Sequence, residues 1–250
     1  MIVKSLNTIL ARLGWSLEKL PVRHYPDDFE ELHRTICDKS APYTMTSPER
    51  VYGLIEAIRY VNKFKIEGSI VECGVWKGGS MLATAETLLH LGDTTRELFL
   101  YDTFEGMPPP DDIDKTVHDR GASKLLEQDR DKASSLIWAY STLQEVKSTL
   151  NRSNYPTDKI KYVVGKVEDT IPSTLPRTIA LLRLDTDWYA STKHELHHLF
   201  PLITKGGILI IDDYGFWKGA RKAVDEYFAE TGVQIHLCRM DDTGRIGIKS

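Results

Sequence analysis

Val71-Glu72-Cys73-Gly74-Val75-Trp76-Lys77-Gly78-Gly79-Ser80 runs from an apolar strand through a glycine-rich turn into a helix. Glycines in such a turn reach φ values closed to other residues and let the backbone approach a ligand closely. The helix start then offers unpaired N–H groups to an anion. The spacing is neither G-x-G-x-x-G nor a phosphate loop closing on Gly-Lys-Ser, so it asks for neither a dinucleotide nor a nucleoside triphosphate. It suits a ligand carrying a carboxylate and an amine, with Glu72 placed to pair with the amine.

Working outward, the short apolar runs Ser69–Cys73, Glu97–Tyr101, Ile160–Val164, Ile179–Leu184 and Gly207–Ile211 alternate with longer periodic stretches. That alternation predicts an α/β chain whose mostly parallel sheet is buried on both faces. Helices are expected at Pro48–Phe64 with Ser47 as N-cap, at Ser80–Leu91, and at Ala220–Thr231 ending on Gly232. Val233–Cys238 and Arg245–Ile248, about the turn Asp241-Asp242-Thr243-Gly244, read as a closing antiparallel hairpin. Residues 107–158 are too long for a plain connection. They open with Met107-Pro108-Pro109-Pro110, and Leu136, Tyr140, Leu143, Lys147 and Leu150 recur at helical spacing, so the segment reads as a helical lid insertion. The acid run Asp111-Asp112-Ile113-Asp114 lacks the glycine and terminal glutamate of a calcium loop and reads as a solvated loop. Residues 1–40 form an N-terminal helical segment ahead of a domain over 41–250. An amphipathic helix is expected in the first twenty residues, and its apolar face is the reason to expect a homodimer.

Among the 250 residues, Lys+Arg number 32 and Asp+Glu 36, and the net charge of −4 gives no footprint for nucleic acid or an anionic membrane. Cys37, Cys73 and Cys238 lie far apart without C-x-x-C spacing, which argues against a disulfide framework and for a cytoplasmic protein. No apolar run is long enough to span a membrane.

Asp102 closes the second strand, where an acid can accept both ribose hydroxyls of an adenosine-containing ligand. Past the third strand, Glu168 or Asp169 could bond an adenine amino group. Asp185-Thr186-Asp187 and Asp212-Asp213 end the fourth and fifth strands, at the same sheet edge as the glycine turn. Carboxylates converging there would repel, and a hard divalent cation, Mg²⁺ by preference, resolves the repulsion. Trp76, Trp188 and Trp217 read first as packing residues, although all three sit beside that edge. His194-Glu195-Leu196-His197-His198 satisfies H-E-x-x-H, so a zinc hydrolase using His194, Glu195 and His198 is an alternative. However, Leu196, Leu199 and Phe200 make an apolar stripe that turns His194 and His198 away from the core. A non-catalytic nucleotide-binding protein is a further alternative.

The segments VECGVWKGGS, LYDTFEGMPPPDD, LRLDTDWYAST and GGILIIDDYGFWKGARKAVDEYF, in this order, resemble the macrocin O-methyltransferase (TylF-type) family. The resemblance implies a class I methyltransferase (Rossmann-like) fold: a seven-stranded, mostly parallel sheet with an antiparallel last strand and helices on both faces. It implies an S-adenosylmethionine-dependent O-methyltransferase acting on a sugar or glycosylated small molecule. Glu72, Gly74 and Ser80 match positions that hold the methionine portion, and Asp102 matches the ribose acid. Pro42–Ser47, with Met45, resembles a stretch closing over the cofactor. Asp185, Asp212 and Asp213 match Mg²⁺ ligands. The more distant catechol-type enzymes carry a lysine where this chain has Trp188, so the resemblance does not name the base, and Asp185 or Asp187 is the expected one.

Overall fold

A computed structural model describes residues 25–129 and 131–250. Helices α1 (Glu31–Ser40) and α2 (Pro48–Lys63) precede β1 (Ser69–Cys73), and α3 (Gly79–His90) leads to β2 (Leu98–Asp102). The insertion contributes α4 (Ala122–Gln128) and α5 (Leu143–Leu150) before β3 (Ile160–Val164). A short α6 (Val167–Thr170), β4 (Ile179–Leu184), α7 (Tyr189–Leu199), β5 (Ile203–Ile211) and α8 (Lys218–Thr231) follow, then β6 (Cys238–Arg239) and β7 (Arg245–Ile248).

The strands form one sheet in the order β3-β2-β1-β4-β5-β7-β6. Five are parallel, and β7 runs antiparallel to both β5 and β6. This is the class I methyltransferase arrangement. One apolar core lies under α2, α3 and α5, through residues such as Ile58, Met81 and Leu150. The other lies under α7 and α8, through Leu196, Leu199, Val224 and Tyr227. Strand order reverses between β1 and β4, the crevice where open α/β sheets bind ligands. Cys73 pairs with Leu184, and Leu184 with Ile211, so Gly74, Asp185 and Asp212 leave the sheet side by side.

Several expectations need correction. Strand β5 begins at Ile203 rather than at the expected Gly207, with the register shift and the positive φ of Gly206 absorbing the irregularity. Strand β6 is two residues long, Cys238–Arg239, and keeps only Cys238 of the predicted Val233–Cys238 region. In the insertion, Leu136 and Tyr140 precede the helix. The capping box in which Thr142 and Glu145 bond each other's backbone N–H starts α5 at Leu143, overriding the longer apolar periodicity. Both Val146 and Leu150 of α5 are buried, so this part of the insertion belongs to the body. Asp114 is buried rather than solvated. Its Oδ1 accepts from Tyr189 N at 2.9 Å, at the start of α7, and its Oδ2 from Asp111 N at 2.9 Å.

Ser47 does cap α2, accepting from Arg50 N. Through Ile36 and Cys37, α1 packs on Val51, Ile55 and Ala83. The helix expected in the first twenty residues, and the homodimer inferred from it, lie outside the described residues. Among the described residues no helix is long and apolar enough to cross a membrane.

Candidate active site

A cavity of about 530 Å³ opens at the C-terminal ends of β1, β4 and β5. Two glycines shape its floor. Gly74 has φ +81°, and a Cβ there would stand 2.0 Å from Asp185 O. At Gly79 a Cβ would stand 2.5 Å from the Tyr43 carbonyl, so its absence lets residues 43–46 lie across the glycine turn. From the insertion, Met107, Leu136 and Ile137 reach the cavity, and Leu136 is 64% exposed.

The acids at the strand ends meet two arginines. Arg183, buried in β4, pairs with Glu72, with Asp185 at 2.7 Å and with Asp212 at 2.6 Å, and donates to Thr46 Oγ1 at 3.0 Å. Arg50 of α2 pairs with Asp212 and, at 2.8 Å, with Asp241 of the β6–β7 turn. Ser47 Oγ donates to the same Asp241 at 2.7 Å. Asp187 contacts Asp213 and Trp217 by hydrogen bonds. Ligand oxygens of Asp185, Asp212 and Asp213 lie within 4.8 Å of one another.

Burial pushes Glu72 up to about 7 against the pull of Arg183, and burial with the charge of Asp185 pushes Asp187 up to about 7. Burial likewise holds Asp185 and Asp213 well above the usual carboxylate range. Groups whose folded pKa exceeds the unfolded value of about 4 favour the fold below that value and lose this contribution as pH rises through the folded pKa. The thermal midpoint is therefore expected to fall between pH 5.5 and 8. A midpoint flat across that range would contradict the reading.

Met45, Gly74, Ser80, Asp102, Glu168, Asp185, Asp187, Asp212 and Asp213 all line the cavity, whereas Glu72 and Asp169 do not. Glu72 sits behind Arg183, with Oε2 buried and unpartnered. Asp102 supports the glycine turn: Oδ2 accepts from Val75 N at 2.6 Å and Trp76 N at 3.1 Å, and Oδ1 from Phe104 N at 2.7 Å. Burial nonetheless raises its carboxyl. Trp76 and Trp217 line the cavity, but Trp188 is a packing residue that stacks edge-on against Trp217 and donates to Pro108 O at 3.0 Å. Sequence reasoning missed both arginines as parts of the site. Arg183 carried a signal, since a charge inside the run Leu181-Leu182-Arg183-Leu184 must find a buried partner.

The zinc alternative fails on geometry. His194 Nε2 lies 3.0 Å from Ile171 O, and Glu195 points from the other side of α7 into the core. Among the described residues, the acids and histidines that converge closely enough for a metal are Asp185, Asp212 and Asp213.

Comparison with known proteins decides the family, because the profile for Macrocin-O-methyltransferase (TylF) matches residues 15–246. The chain belongs to the TylF family. As a TylF-family member it is an O-methyltransferase, which removes the non-catalytic alternative. It is 32% identical over 205 residues to the 8-demethyl-8-(2,3-dimethoxy-alpha-L-rhamnosyl)-tetracenomycin-C 4'-O-methyltransferase of Streptomyces olivaceus, covering 82% of this chain and 75% of that one. It is 29% identical over 202 residues to the mycinamicin III 3''-O-methyltransferase of Micromonospora griseorubida, covering 81% and 76%. Among solved structures, the O-methyltransferase NovP superposes with a TM-score of 0.72 at 27% identity, covering 83% of this chain and 82% of NovP.

Proposed function

We propose that this TylF-family enzyme moves a methyl group from S-adenosylmethionine to a hydroxyl of a sugar or glycosylated small molecule, with Mg²⁺ at Asp185, Asp212 and Asp213. The observation that carries this reading is the meeting of the glycine turn and the acid trio on one cavity. The names of the two curated relatives, a rhamnosyl-tetracenomycin and a mycinamicin methyltransferase, support a glycosylated acceptor.

The residues fit the metal. Glu72, Asp185, Asp187, Asp212 and Asp213 outnumber Arg50 and Arg183, and Asp213 Oδ2 is buried without a hydrogen-bond partner. Hard carboxylate oxygens in excess suit Mg²⁺. Bound there, Mg²⁺ would supply Lewis acidity toward the acceptor hydroxyl.

Gly74, Ser80 and Met45 line the cavity and would hold the methionine end of the donor. Asp102 would accept from the ribose hydroxyls with the lone pairs its backbone bonds leave free, and Glu168 would bind the adenine. Asp187 takes the acceptor proton. It lines the cavity, and among the described residues no lysine or arginine pairs with it, whereas Asp185 is held by Arg183. As the proton leaves, the acceptor oxygen bonds to the methyl carbon and the carbon–sulfur bond breaks, its electron pair staying on sulfur. The leaving group departs neutral, so alignment of oxygen, methyl and sulfur is the protein's main contribution. Leu136, Ile137 and Met107 shape the acceptor side and limit water there.

Calorimetric titration of metal-stripped protein with S-adenosylmethionine, S-adenosylhomocysteine and NAD, with and without Mg²⁺, tests the donor site. Selective micromolar binding of the first two is expected, and absence of both would sink the reading. Methylation of glycosides but not of their free aglycones is the expected acceptor preference.

A further inference from the structure

Glu195, the acid of the His-Glu-Leu-His-His segment, is fully buried and has no part in the chemistry above. Its Oε2 accepts from Thr186 Oγ1 at 3.2 Å, and the buried Cys73 thiol also hydrogen-bonds it. Its Oε1 has no hydrogen-bond partner. Burial holds the carboxyl well above its ordinary range. Placing such a group in a helix face that an alkyl side chain would fill is costly, which packing alone does not explain.

Thr186 is the middle residue of Asp185-Thr186-Asp187, and that loop is strained. Trp188 N donates to Thr186 O at 2.7 Å, closing a three-residue turn around Asp187, whose φ is +67°. A non-glycine residue in the left-handed region of so tight a turn persists only where its surroundings over-determine it. The backbone is gripped by Asp185 N donating to Cys73 O at 2.8 Å, by Tyr189 N donating to Asp114, and by Ser191 Oγ donating to Trp188 O at 3.1 Å. Ser191 Oγ also reaches Thr186 O at 3.4 Å and Asp187 hydrogen-bonds Asp213 and Trp217, while the Thr186 hydroxyl is a further handle, which Glu195 holds.

We propose that Glu195 is a positioning residue that, through Thr186 Oγ1, holds the loop 185–188 in the turn presenting Asp187 to the cavity and Asp185 to Asp212 and Asp213. Its consequence for metal binding rests on the function proposed above, but the loop geometry does not.

The test uses the full chain and its Glu195→Leu, Glu195→Gln and Thr186→Val variants. Amide hydrogen exchange is followed across 184–192, and Mn²⁺ binding is measured by electron paramagnetic resonance. Exchange at Trp188 and Tyr189 is expected to be roughly tenfold faster in Glu195→Leu and Thr186→Val, the scale of one lost buried hydrogen bond. Amides of β5 and α8 should not change. Glu195→Gln, whose amide oxygen still accepts from Thr186, should match wild type. The double variant should exchange no faster than either single one. Mn²⁺ affinity should weaken by a similar factor and recover in Glu195→Gln. Unchanged exchange at Trp188 and Tyr189 in Glu195→Leu or Thr186→Val, or Glu195→Gln exchanging as fast as Glu195→Leu, would overturn the proposal. Wild-type protein that binds no Mn²⁺ would refute the metal assignment, while exchange would still decide the role of Glu195. Should Glu195→Leu misfold, Thr186→Val carries the test, since it keeps the side-chain shape and loses the hydroxyl.

Discussion

Asp213→Asn is expected to lower methyl transfer by at least about 100-fold while the metal-free protein becomes no less stable, since the proposed Mg²⁺ would contribute several kcal/mol to such a transition state. The two effects diverge for a physical reason. Asp213 makes no ion pair among the described residues, its Oδ2 is unpartnered, and burial beside the charges of Asp187 and Asp212 drives its carboxyl upward. Asparagine keeps the shape and removes a like charge, so the metal-free midpoint should rise, most visibly near pH 8. Stabilisation by Mg²⁺ should shrink, and affinity for S-adenosylhomocysteine should stay within about twofold, a few tenths of a kcal/mol. Turnover and Mg²⁺ response unchanged from wild type would remove Asp213 from the metal site. Loss of S-adenosylhomocysteine binding alongside activity would instead mean that donor and metal sites are not separate.

Arg183→Met should act chiefly on stability. Arg183 is 4% exposed and bridges Glu72, Asp185 and Asp212, tying Thr46 of the segment over the glycine turn to the same network. Removing one partner of a buried ion pair costs about 3–5 kcal/mol. For a chain of this size that is a loss of roughly 6–20 °C in thermal midpoint. The deficit should narrow as pH falls, because the stranded carboxyls then take up protons and cease to repel. Thermal scans at pH 5.5 and 8 check both size and trend. A midpoint at pH 8 within about 2 °C of wild type, less than 1 kcal/mol here, would mean that the carboxyls around Arg183 are already neutral.

Much of the cavity's lining is legible in the sequence. The glycine turn, Asp102, Asp185 and Asp212 are residues at the ends of short buried strands, and strand ends are fixed by local composition. Separating Glu168, which lines the cavity, from Asp169, which does not, needed the one-turn geometry of α6, where adjacent residues point in different directions. Asp114 looked like a member of a solvated acid run, because its partner, Tyr189 N, is supplied by a helix far along the chain. Leu136 and Tyr140 fitted a helical period that a capping box at Thr142 cut short.

By itself the sequence determined the class of fold, the edge of the sheet that carries the site, and the family. Those follow from hydrophobic period, turn chemistry and ordered motifs, all local along the chain. Tertiary structure alone decided that Arg50 and Arg183 thread the acid cluster, that Glu72 stands behind Arg183, and that Glu195 reaches the loop beside Asp187. Each joins groups from separate strands and helices, and a buried charge or polar atom finds its partner by proximity in space, which no local pattern encodes.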